Sequence, residues 1–336
     1  MSAFPIAVVT GGAGFIGSHT VDLLVQQGFE VRIVDNLSGG HEKNIAHHAG
    51  AESPVSFYEE DIRSLERDSD IFAEAKYVFH FAGIGDIVPS IERPADYMDV
   101  NVQGTVRVLE AARHANVSKF VYAASSSCYG LADELPTTEA AHIDPQYPYA
   151  LSKLLGENAV HHWASVYGLP ANSIRIFNAY GPRSRTTGAY GAVFGVFLAQ
   201  KLAGQPLTVV GDGTQSRDFL FVRDIARAFL AAAKTERTGR IYNLGAGAPQ
   251  TVNRLVELLG SEATYIPDRP GEPRCTWADI ALITEELGWT PTTSFEDGVA
   301  EMLTVIDDWR DAPVWNPSSI AEATRAWFGT LTKEAP

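Results

Sequence analysis

Tyr149 and Lys153 are the two residues of this chain whose types and spacing are best suited to chemistry. Positions i and i+4 of a helix lie on one face, so a phenol and an ammonium at this spacing can act on one small molecule. An unperturbed tyrosine has a pKa of about 10, and a close cation favours its phenolate by roughly 1–3 units. The pair is therefore predicted to exchange a proton with a sugar or alcohol hydroxyl, with Tyr149 as the base.

The elements that must position this pair alternate between strand-like and helical segments. Helices are predicted over about 15–27, 98–115 and 146–167, and the last of these carries Tyr149 and Lys153. Short apolar segments predict seven strands, at 4–10, 30–35, 55–60, 77–82, 119–125, 171–177 and 241–244. An order of strand, helix, strand throughout predicts an α/β fold with a doubly wound parallel sheet.

The pattern loosens after residue 178, where glycines and prolines mark loops. We predict an NAD-binding Rossmann domain over 1–178, to which 218–245 returns. A smaller C-terminal lobe that binds the substrate is predicted over 179–217 and 246–336.

A glycine-rich turn joins the first predicted strand to the first predicted helix. Gly11, Gly14 and Gly17 have G-x-x-G-x-x-G spacing. Glycine there lets the backbone turn tightly and approach a pyrophosphate, whose charge is met by the helix N-terminus. Asp35 ends the next strand, where its carboxylate would accept hydrogen bonds from ribose hydroxyls and repel a 2′-phosphate. Because 36–40 contain no arginine, NAD is predicted rather than NADP.

The composition excludes several classes of protein. The net charge of the 336 residues is −15, which argues against a nucleic-acid partner or an anionic membrane surface. Two cysteines, Cys128 and Cys275, are too few for a disulfide framework and indicate free thiols in a reducing cytoplasm. No membrane span or signal peptide is expected. The pairs His47–His48 and His161–His162 lack the spacing of a zinc site, so no metal is predicted.

The motifs resemble those of extended short-chain dehydrogenases/reductases, in the branch of nucleotide-sugar epimerases, dehydratases and decarboxylases. The similarity runs from about residue 5 to about residue 310, and within the branch the chain resembles UDP-glucose and UDP-N-acetylglucosamine 4-epimerases. Ten segments carry it in the family's order: 10–17 (TGGAGFIG), 61–62 (DI), 81–83 (FAG), 101–105 (NVQGT), 125–130 (SSSCYG), 149–153 (YALSK), 175–182 (RIFNAYGP), 217–224 (RDFLFVRD), 243–245 (NLG) and 269–272 (RPGE).

The resemblance implies a set of NAD contacts. Asp61 would accept from the adenine amine, Asn101 would hold active-site loops or water, and Lys153 would also bond the nicotinamide ribose. Galactose epimerases carry a lysine where this chain has Gly85, so one cation near the cofactor is missing. The full set is Gly11, Gly14, Phe15, Ile16, Gly17, Asp35, Asn36, Asp61, Ile62, Phe81, Ala82, Gly83, Asn101, Tyr149 and Lys153.

The resemblance also implies the catalytic and substrate residues. Ser125 would be the third catalytic residue, bonded to the sugar O4, while Arg217 and Arg269 would clamp the substrate pyrophosphate. Dehydratases of the family carry Asp-Glu after their catalytic threonine, where this chain has Ser126 and Ser127. Elimination would lack its acid and base, which leaves epimerisation at C4 through a transient 4-keto sugar. The implied substrate contacts are Ser125, Ser127, Asn178, Arg217, Arg269 and Thr276.

Thr276 corresponds to the position that limits space around the sugar C2 substituent in galactose epimerases. A residue this small is expected to leave room for an N-acetyl group, which favours UDP-N-acetylglucosamine and UDP-N-acetylgalactosamine. The resemblance also implies UDP as the nucleotide, since it is the commonest one in the family. Members of the family usually form homodimers, and in this chain helices 98–115 and 146–167 would form the contact.

Two other functions stay open. One is a nucleotide-sugar 4-ketoreductase, or a UDP-uronate epimerase or decarboxylase, of the same family. The other is a dinucleotide-sensing binding protein on the same fold, although such proteins typically lose the Tyr and Lys that this chain keeps.

Overall fold

The computed structural model describes residues 4–184, 186, 193–268 and 272–331. The strands are β1 (Ile6–Thr10), β2 (Glu30–Asp35), β3 (Val55–Glu59), β4 (Ala75–His80), β5 (Lys119–Ser125), β6 (Ala171–Ile176), β7 (Asn178–Tyr180), β8 (Leu207–Val210), β9 (Ser216–Arg217), β10 (Phe219–Phe221), β11 (Arg240–Leu244), β12 (Gln250–Thr251) and β13 (Ala263–Ile266). The α-helices are α1 (Phe15–Gln26), α2 (Ile87–Glu92), α3 (Pro94–Met98), α4 (Thr105–His114), α5 (Pro148–Tyr167), α6 (Val193–Leu202), α7 (Val222–Lys234), α8 (Val252–Leu259), α9 (Ala281–Leu287), α10 (Phe295–Thr304), α11 (Pro317–Ala323) and α12 (Arg325–Leu331). No helix among these residues is both long enough and apolar enough to cross a bilayer.

Seven strands form one parallel sheet in the order β11-β6-β5-β4-β1-β2-β3. The strand order reverses between β1 and β4, because the chain first builds outward through β2 and β3 and then returns to the other side of β1. In open sheets of this kind, ligands bind at the carboxyl ends of the strands at such a switch point. The doubly wound parallel sheet predicted from the sequence is confirmed.

Helices cover both faces of this sheet. The helices α1 and α7 pack against one face, and α4 and α5 pack against the other. Central strand residues such as Val9 and Phe79 are completely buried, and a side chain of this size gains roughly 1.5–3 kcal/mol from burial. Burial on both faces explains why these strands are continuous apolar runs rather than alternating ones.

A second, smaller core lies beside the carboxyl ends of the main sheet. It is built from three two-stranded pairs, β7 with β10, β8 with β13, and β9 with β12. Aromatic rings fill it, with Tyr180 stacked on Phe194 and Phe219 stacked on Phe295. The chain returns to the main sheet through α7 and β11, while the division into lobes at residue 178 stays a prediction.

The predicted helix over 98–115 has a different form. The chain runs from α3 into a π-helix, Asp99–Gly104, and only then into α4. The wide turn contains Asn101, whose amide bonds to the backbone of Ile84 and thereby holds this part of the helix against the loop after β4. Wide turns of this kind occur frequently at functional sites.

Candidate active site

The turn between β1 and α1 is shaped by glycines where a side chain would not fit. Gly11 has φ +70°, and a Cβ there would lie 2.6 Å from the backbone nitrogen of Ala82 on the neighbouring strand end. A Cβ on Gly17 would overlap the carbonyl oxygen of Gly11. Gly14 is the N-cap of α1 and brings no side chain over the helix terminus. The backbone N–H groups at this terminus are therefore open to an anion at the switch point of the sheet.

Asp35 lies at the carboxyl end of β2 and faces this turn. Its carboxylate accepts hydrogen bonds from the backbone N–H groups of Ala13, at 3.0 Å, and Leu37, at 2.9 Å. Burial raises the pKa of Asp35, and these two hydrogen bonds oppose the rise. The carboxylate is thus fixed in orientation beside the glycine turn, where each oxygen keeps a lone pair for a ligand hydroxyl.

Asn36 and Asp61 lie next to each other on the more exposed side of Asp35. The Asn36 amide donates to Asp61 at 2.8 Å, and Arg63 bonds both oxygens of the same carboxylate. The hydrogen bonds from the Arg63 side chain hold the pKa of Asp61 far below its usual range. Ile62 is buried under this pair and packs against the position of Gly104.

The end of β4 closely approaches α5, the helix that carries Lys153. A Cβ on Gly83 would lie 2.9 Å from Oδ1 of Asn101 and 3.8 Å from Nζ of Lys153. Phe81 lies against Phe229 with ring centroids 4.5 Å apart, and the Ala82 N–H points to the hydroxyl of Thr10 at 3.4 Å. Small residues at 82 and 83 therefore leave the backbone open beside the turn.

Asn101 connects three parts of the site. Its amide bonds both the N–H and the carbonyl of Ile84, at 2.8 and 3.0 Å, and donates to the hydroxyl of Ser152 at 2.9 Å. The side chain is almost fully buried. Asn101 thus ties the loop after β4 to α5, the helix that carries Tyr149 and Lys153.

Lys153 is buried, with its ammonium over the ring of Tyr122 at 4.5 Å from the centroid. Burial lowers the pKa of Lys153 to about 8, and the negative charge of Glu157 partly opposes this. The lysine therefore changes charge near the upper end of the physiological range, unlike an exposed lysine.

Tyr149 is half-buried, and its hydroxyl points at Ser125 Oγ over 3.5 Å. The Ser125 hydroxyl also contacts that of Ser127 at 2.8 Å and caps the turn that follows β5. Two rings flank the phenol, Tyr147 stacked at 6.4 Å and Tyr97 edge-on at 6.3 Å. The structure brings the two predicted hydroxyl groups of the site together.

The electrostatics of Tyr149 differ from the sequence-based expectation. Burial raises the pKa of Tyr149, opposed by the hydrogen bond to Ser125, and Lys153 is not among the groups that lower it. The helix puts both residues on one face, as expected, but it also removes the phenol from water, which disfavours the charged form. In the protein alone the phenol is therefore neutral at physiological pH, and a further positive charge is needed to favour the phenolate.

A cleft of about 470 Å³ opens above Tyr149 between the main sheet and the smaller core. Its walls include five of the predicted substrate residues together with Tyr149. These five are Ser125, Ser127, Asn178, Arg217 and Thr276. The sixth predicted substrate residue, Arg269, lies outside the described residues.

Arg217 is nine-tenths buried in the wall of this cleft. Its guanidinium pairs with the carboxylate of Glu272 at 2.7 Å and donates to the carbonyl of Ser216 at 2.9 Å. The arginine expected to bind a pyrophosphate is thus held by an acidic residue of the RPGE segment. No role for Glu272 was predicted from the sequence, although Glu272 stands in the same motif as Arg269.

Thr276 and Asn178 also meet in the lining of the cleft. The Thr276 hydroxyl donates to Asn178 Oδ1 at 2.7 Å and accepts from the N–H of Asp218 at 3.2 Å. Thr276 is therefore locked in one orientation by partners from β7 and from the residue that joins β9 and β10.

Several residues of the site have no obvious signal in the sequence. Tyr122 lies under Lys153, and Tyr97 lies beside Tyr149, yet both precede α5 by many positions. Ser152 is adjacent to Lys153 and could have been found from the motif itself, since the serine on the inner face of the helix bonds Asn101.

The fold and this site define an α/β enzyme scaffold with a dinucleotide turn and a Tyr-Lys pair beside a deep cleft. The model of the NAD dependent epimerase/dehydratase family matches residues 7–245. The chain is 35% identical over 305 residues to the UDP-glucose 4-epimerase of Mycolicibacterium smegmatis, which covers 88% of this chain and 96% of that protein. The chain therefore belongs to the NAD dependent epimerase/dehydratase family, as the sequence motifs predicted.

Two solved structures are similar over nearly their whole lengths. One is the UDP-N-acetylglucosamine 4-epimerase of Methanobrevibacter ruminantium, in complex with UDP-N-acetylmuramic acid, with a TM-score of 0.84, 30% identity, and coverage of 92% of this chain and 98% of that chain. The other is the UDP-glucuronic acid 4-epimerase of Bacillus cereus, in complex with UDP-glucuronic acid and NAD, with a TM-score of 0.83, 31% identity, and coverage of 90% and 99%. NAD is accordingly the cofactor of this chain.

Proposed function

We propose that this protein interconverts UDP-sugars that differ in configuration at C4, through a transient 4-keto sugar, and leaves NAD unchanged after each turnover. The observation that carries the proposal is the pair of hydroxyls, Tyr149 and Ser125, in a cleft where the next two residues of the chain after Ser125 are serines rather than acids. The pair can move one proton at a sugar hydroxyl, and the surrounding serines offer no second base.

The residues around the glycine turn fit NAD. A Cβ would fill the cradle at Gly11 and at Gly17, and the Asp35 carboxylate is oriented toward the turn with lone pairs to spare. We propose that these residues hold the pyrophosphate and the adenosine ribose. Asn36, Asp61 and Ile62 would surround the adenine. The remaining proposed contacts are Gly14, Phe15, Ile16, Phe81, Ala82, Gly83, Asn101, Tyr149 and Lys153.

Each catalytic residue has a distinct task in this proposal. Tyr149 takes the proton from the sugar O4, and Ser125, which lies within reach of the same phenol, orients that hydroxyl. When bound, NAD supplies the hydride acceptor and donor at C4 and a positive charge in the site. That charge would favour the phenolate, which burial disfavours, while Lys153 would bond the nicotinamide ribose.

The cleft is poorly equipped for elimination. Loss of water across C5 and C6 requires an acid at the leaving hydroxyl and a base at C5. The residues at the corresponding positions, Ser126 and Ser127, line the cleft but carry no carboxylate. Among the described residues, the two carboxylates that do line the cleft, Asp86 and Glu272, stand at other places in the chain, and Glu272 is paired with Arg217. Reduction of the keto sugar from its other face is therefore the outcome that we propose.

We propose UDP-N-acetylglucosamine and UDP-N-acetylgalactosamine as the substrates. Thr276 lines the cleft as a small side chain whose hydroxyl is fixed by Asn178 and Asp218. It cannot swing outward to occupy the space above it without breaking both hydrogen bonds. That space is available to an N-acetyl group on C2. Arg217 would then meet the pyrophosphate, with Glu272 as the partner that positions it.

Epimerisation in D₂O, followed by NMR of the product, tests the reaction type. The hydrogen at C4 leaves and returns as hydride, so the product keeps protium at C4, C5 and C6. Deuterium at C5 or C6 would indicate proton loss from carbon, as in elimination, and would contradict the proposal. Net formation or consumption of NADH would indicate a ketoreductase instead.

A UDP-uronate epimerase is the second candidate. Ser125, Ser126 and Ser127 place three hydroxyls in the cleft, and such donors can bind a C6 carboxylate. The Bacillus cereus neighbour acts on UDP-glucuronic acid. Conversion of UDP-glucuronate without carbon dioxide release, at a higher kcat/KM than UDP-N-acetylglucosamine, would favour this candidate. Release of carbon dioxide would indicate a decarboxylase.

We also propose that the protein is a homodimer through α4 and α5. The outer face of α5 exposes Leu151, Leu155 and Val166, with 37–56% of each residue accessible. Apolar residues grouped on one exposed helix face are typical of an interface. Light scattering after gel filtration should give a mass twice that of one chain. In the double variant Leu151→Glu, Leu155→Glu, the measured mass should fall to that of one chain.

A further inference from the structure

Asp22, His47 and His48 form a cluster on the surface, away from the cleft. The Nε2 atoms of both histidines lie close to the same oxygen, Asp22 Oδ1, at 2.7 and 2.8 Å. The centroids of the two rings lie 4.1 Å apart, and the ring planes are inclined by 42°. One nitrogen from each imidazole and one carboxylate oxygen thus lie within 4.8 Å of one another.

The three residues come from two elements that the fold holds together. Asp22 lies on α1, and His47 and His48 lie in the single turn Ala46–His48. The segment before this turn is anchored to the glycine turn, because Asn44 and the N–H of His41 both donate to the carbonyl of Ala13, at 2.9 and 3.0 Å. The backbone of these two elements therefore brings the three side chains close together.

Arg183 orients the carboxylate. Its guanidinium lies 2.8 Å from Asp22 Oδ2, the oxygen that the histidines do not share. Oδ1 is left facing both imidazoles. Carboxylates that bind metals are commonly held in this way by a partner on the outer oxygen.

We propose that Asp22, His47 and His48 form a binding site for a divalent transition metal ion of the Zn²⁺ type. Two imidazoles and one carboxylate are ligands that suit zinc, cobalt or nickel, whereas magnesium and calcium prefer oxygen alone. The ion would lie between the two rings and Oδ1. Each neutral imidazole would give its Nε2 lone pair, in the tautomer that carries the ring proton on Nδ1.

The geometry needs only a small adjustment. Zinc lies about 2.0–2.2 Å from nitrogen and oxygen ligands, so tetrahedral ligand atoms are about 3.4 Å apart. The present N···O distances of 2.7 and 2.8 Å must open by about 0.6 Å, which rotation of two side chains at the surface can supply. About half of the His47 side chain is exposed, so water can complete the coordination.

Occupation of this site would clamp α1 to the segment that packs on the glycine turn. Both elements border the proposed dinucleotide site, yet none of the three residues contacts the cleft. The proposal is therefore independent of which sugar the enzyme converts. The spacing in the sequence did not indicate the site, because Asp22 precedes the histidines by 25 and 26 positions.

Calorimetric titration of Zn²⁺ into chelator-treated protein without a histidine tag tests the site. We expect one Zn²⁺ per chain, and an affinity reduced at least about tenfold in His47→Ala and in His48→Ala. His162→Ala is the matched control, since His162 is an exposed histidine next to another histidine but outside the cluster. The His162→Ala variant should bind Zn²⁺ with the same stoichiometry and affinity as the unsubstituted protein.

A second measurement separates loss of ligands from loss of folding. Co²⁺ added to the original protein should give visible absorption bands of a tetrahedral or five-coordinate site, and His48→Gln should lose them while its circular dichroism is unchanged. The proposal would be overturned if the protein did not bind one Zn²⁺ per chain. It would also be overturned if the double variant His47→Ala, His48→Ala bound Zn²⁺ as tightly as the unsubstituted protein.

Discussion

The substitution Glu157→Gln perturbs the catalytic helix at the point where it is joined to the sheet. Glu157 lies on α5, one turn after Lys153 and two turns after Tyr149. Its carboxylate receives three contacts from Arg175 on β6, from Nε at 3.0 and 3.2 Å and from Nη2 at 2.6 Å. Both side chains are 95% buried or more. The pair therefore fixes the helix that carries the proposed base.

The expected loss of stability follows from the burial of the pair. Removal of one partner from a buried ion pair leaves the other charge uncompensated and costs about 3–5 kcal/mol. Glutamine keeps one acceptor oxygen, so we expect about 3 kcal/mol. An unfolding entropy of about 2.1 cal/mol/K per residue gives about 0.7 kcal/mol/K for 336 residues, so Tm should fall by about 4 °C.

The same substitution should change the pH dependence of activity. Burial already lowers the pKa of Lys153 to about 8, and the charge of Glu157 raises it. Without that charge the pKa of Lys153 falls further. Lysine is protonated below its pKa, so the variant loses the Lys153 cation at a lower pH. The alkaline limb of kcat/KM should therefore move to lower pH than in the original enzyme.

Urea denaturation and a pH–rate profile measure the two effects. The matched control is Glu301→Gln, which breaks a more exposed pair with Arg223 and should cost less than about 1 kcal/mol. It should leave the alkaline limb in place. If Glu157→Gln costs no more than this control, or if its alkaline limb does not move, the reasoning about the buried pair is wrong.

Three further predictions concern the base, the sugar and the glycine turn. Tyr149→Phe should lower kcat by about 10²–10⁴-fold while NAD binding, measured by fluorescence titration, stays intact; retention of activity would contradict the role of Tyr149 as the base. Thr276→Tyr should lower kcat/KM on N-acetylated UDP-sugars far more than on UDP-glucose, and an equal fall on both would contradict the role of Thr276 in admitting the N-acetyl group. Gly17→Ala should abolish NAD binding or folding, because its Cβ would overlap the Gly11 carbonyl, whereas Gly39→Ala, where the added carbon meets nothing within 4 Å, should bind NAD normally.

The fold and much of the site follow from local patterns in the sequence. The apolar segments predicted the strands of the main sheet, most clearly β1, because a strand buried on both faces is a nearly continuous apolar run. The glycine spacing, Asp35 and the Tyr149–Lys153 pair lie within single elements or at their ends. Their relative placement is therefore fixed by helix periodicity and by the parallel order of the strands.

Features that depend on long-range packing could not be predicted. The contact of Tyr122 with Lys153 and the Arg217–Glu272 pair join segments 31 and 55 positions apart. The wide turn around Asn101 depends on the loop at Ile84, whose position is set by the end of β4. The effect of burial on the pKa of Tyr149 is also absent from the sequence, because local spacing gives the distance to a cation but not the loss of water around the phenol.

Proton NMR of the purified protein with UDP-N-acetylglucosamine, UDP-glucose and UDP-glucuronate, each without added cofactor and then with NAD, tests the central claim most directly. We predict conversion of UDP-N-acetylglucosamine to the galacto-configured sugar, to an equilibrium mixture and with no net change in NADH. Failure to convert any UDP-sugar at C4 in the presence of NAD would contradict the proposed reaction.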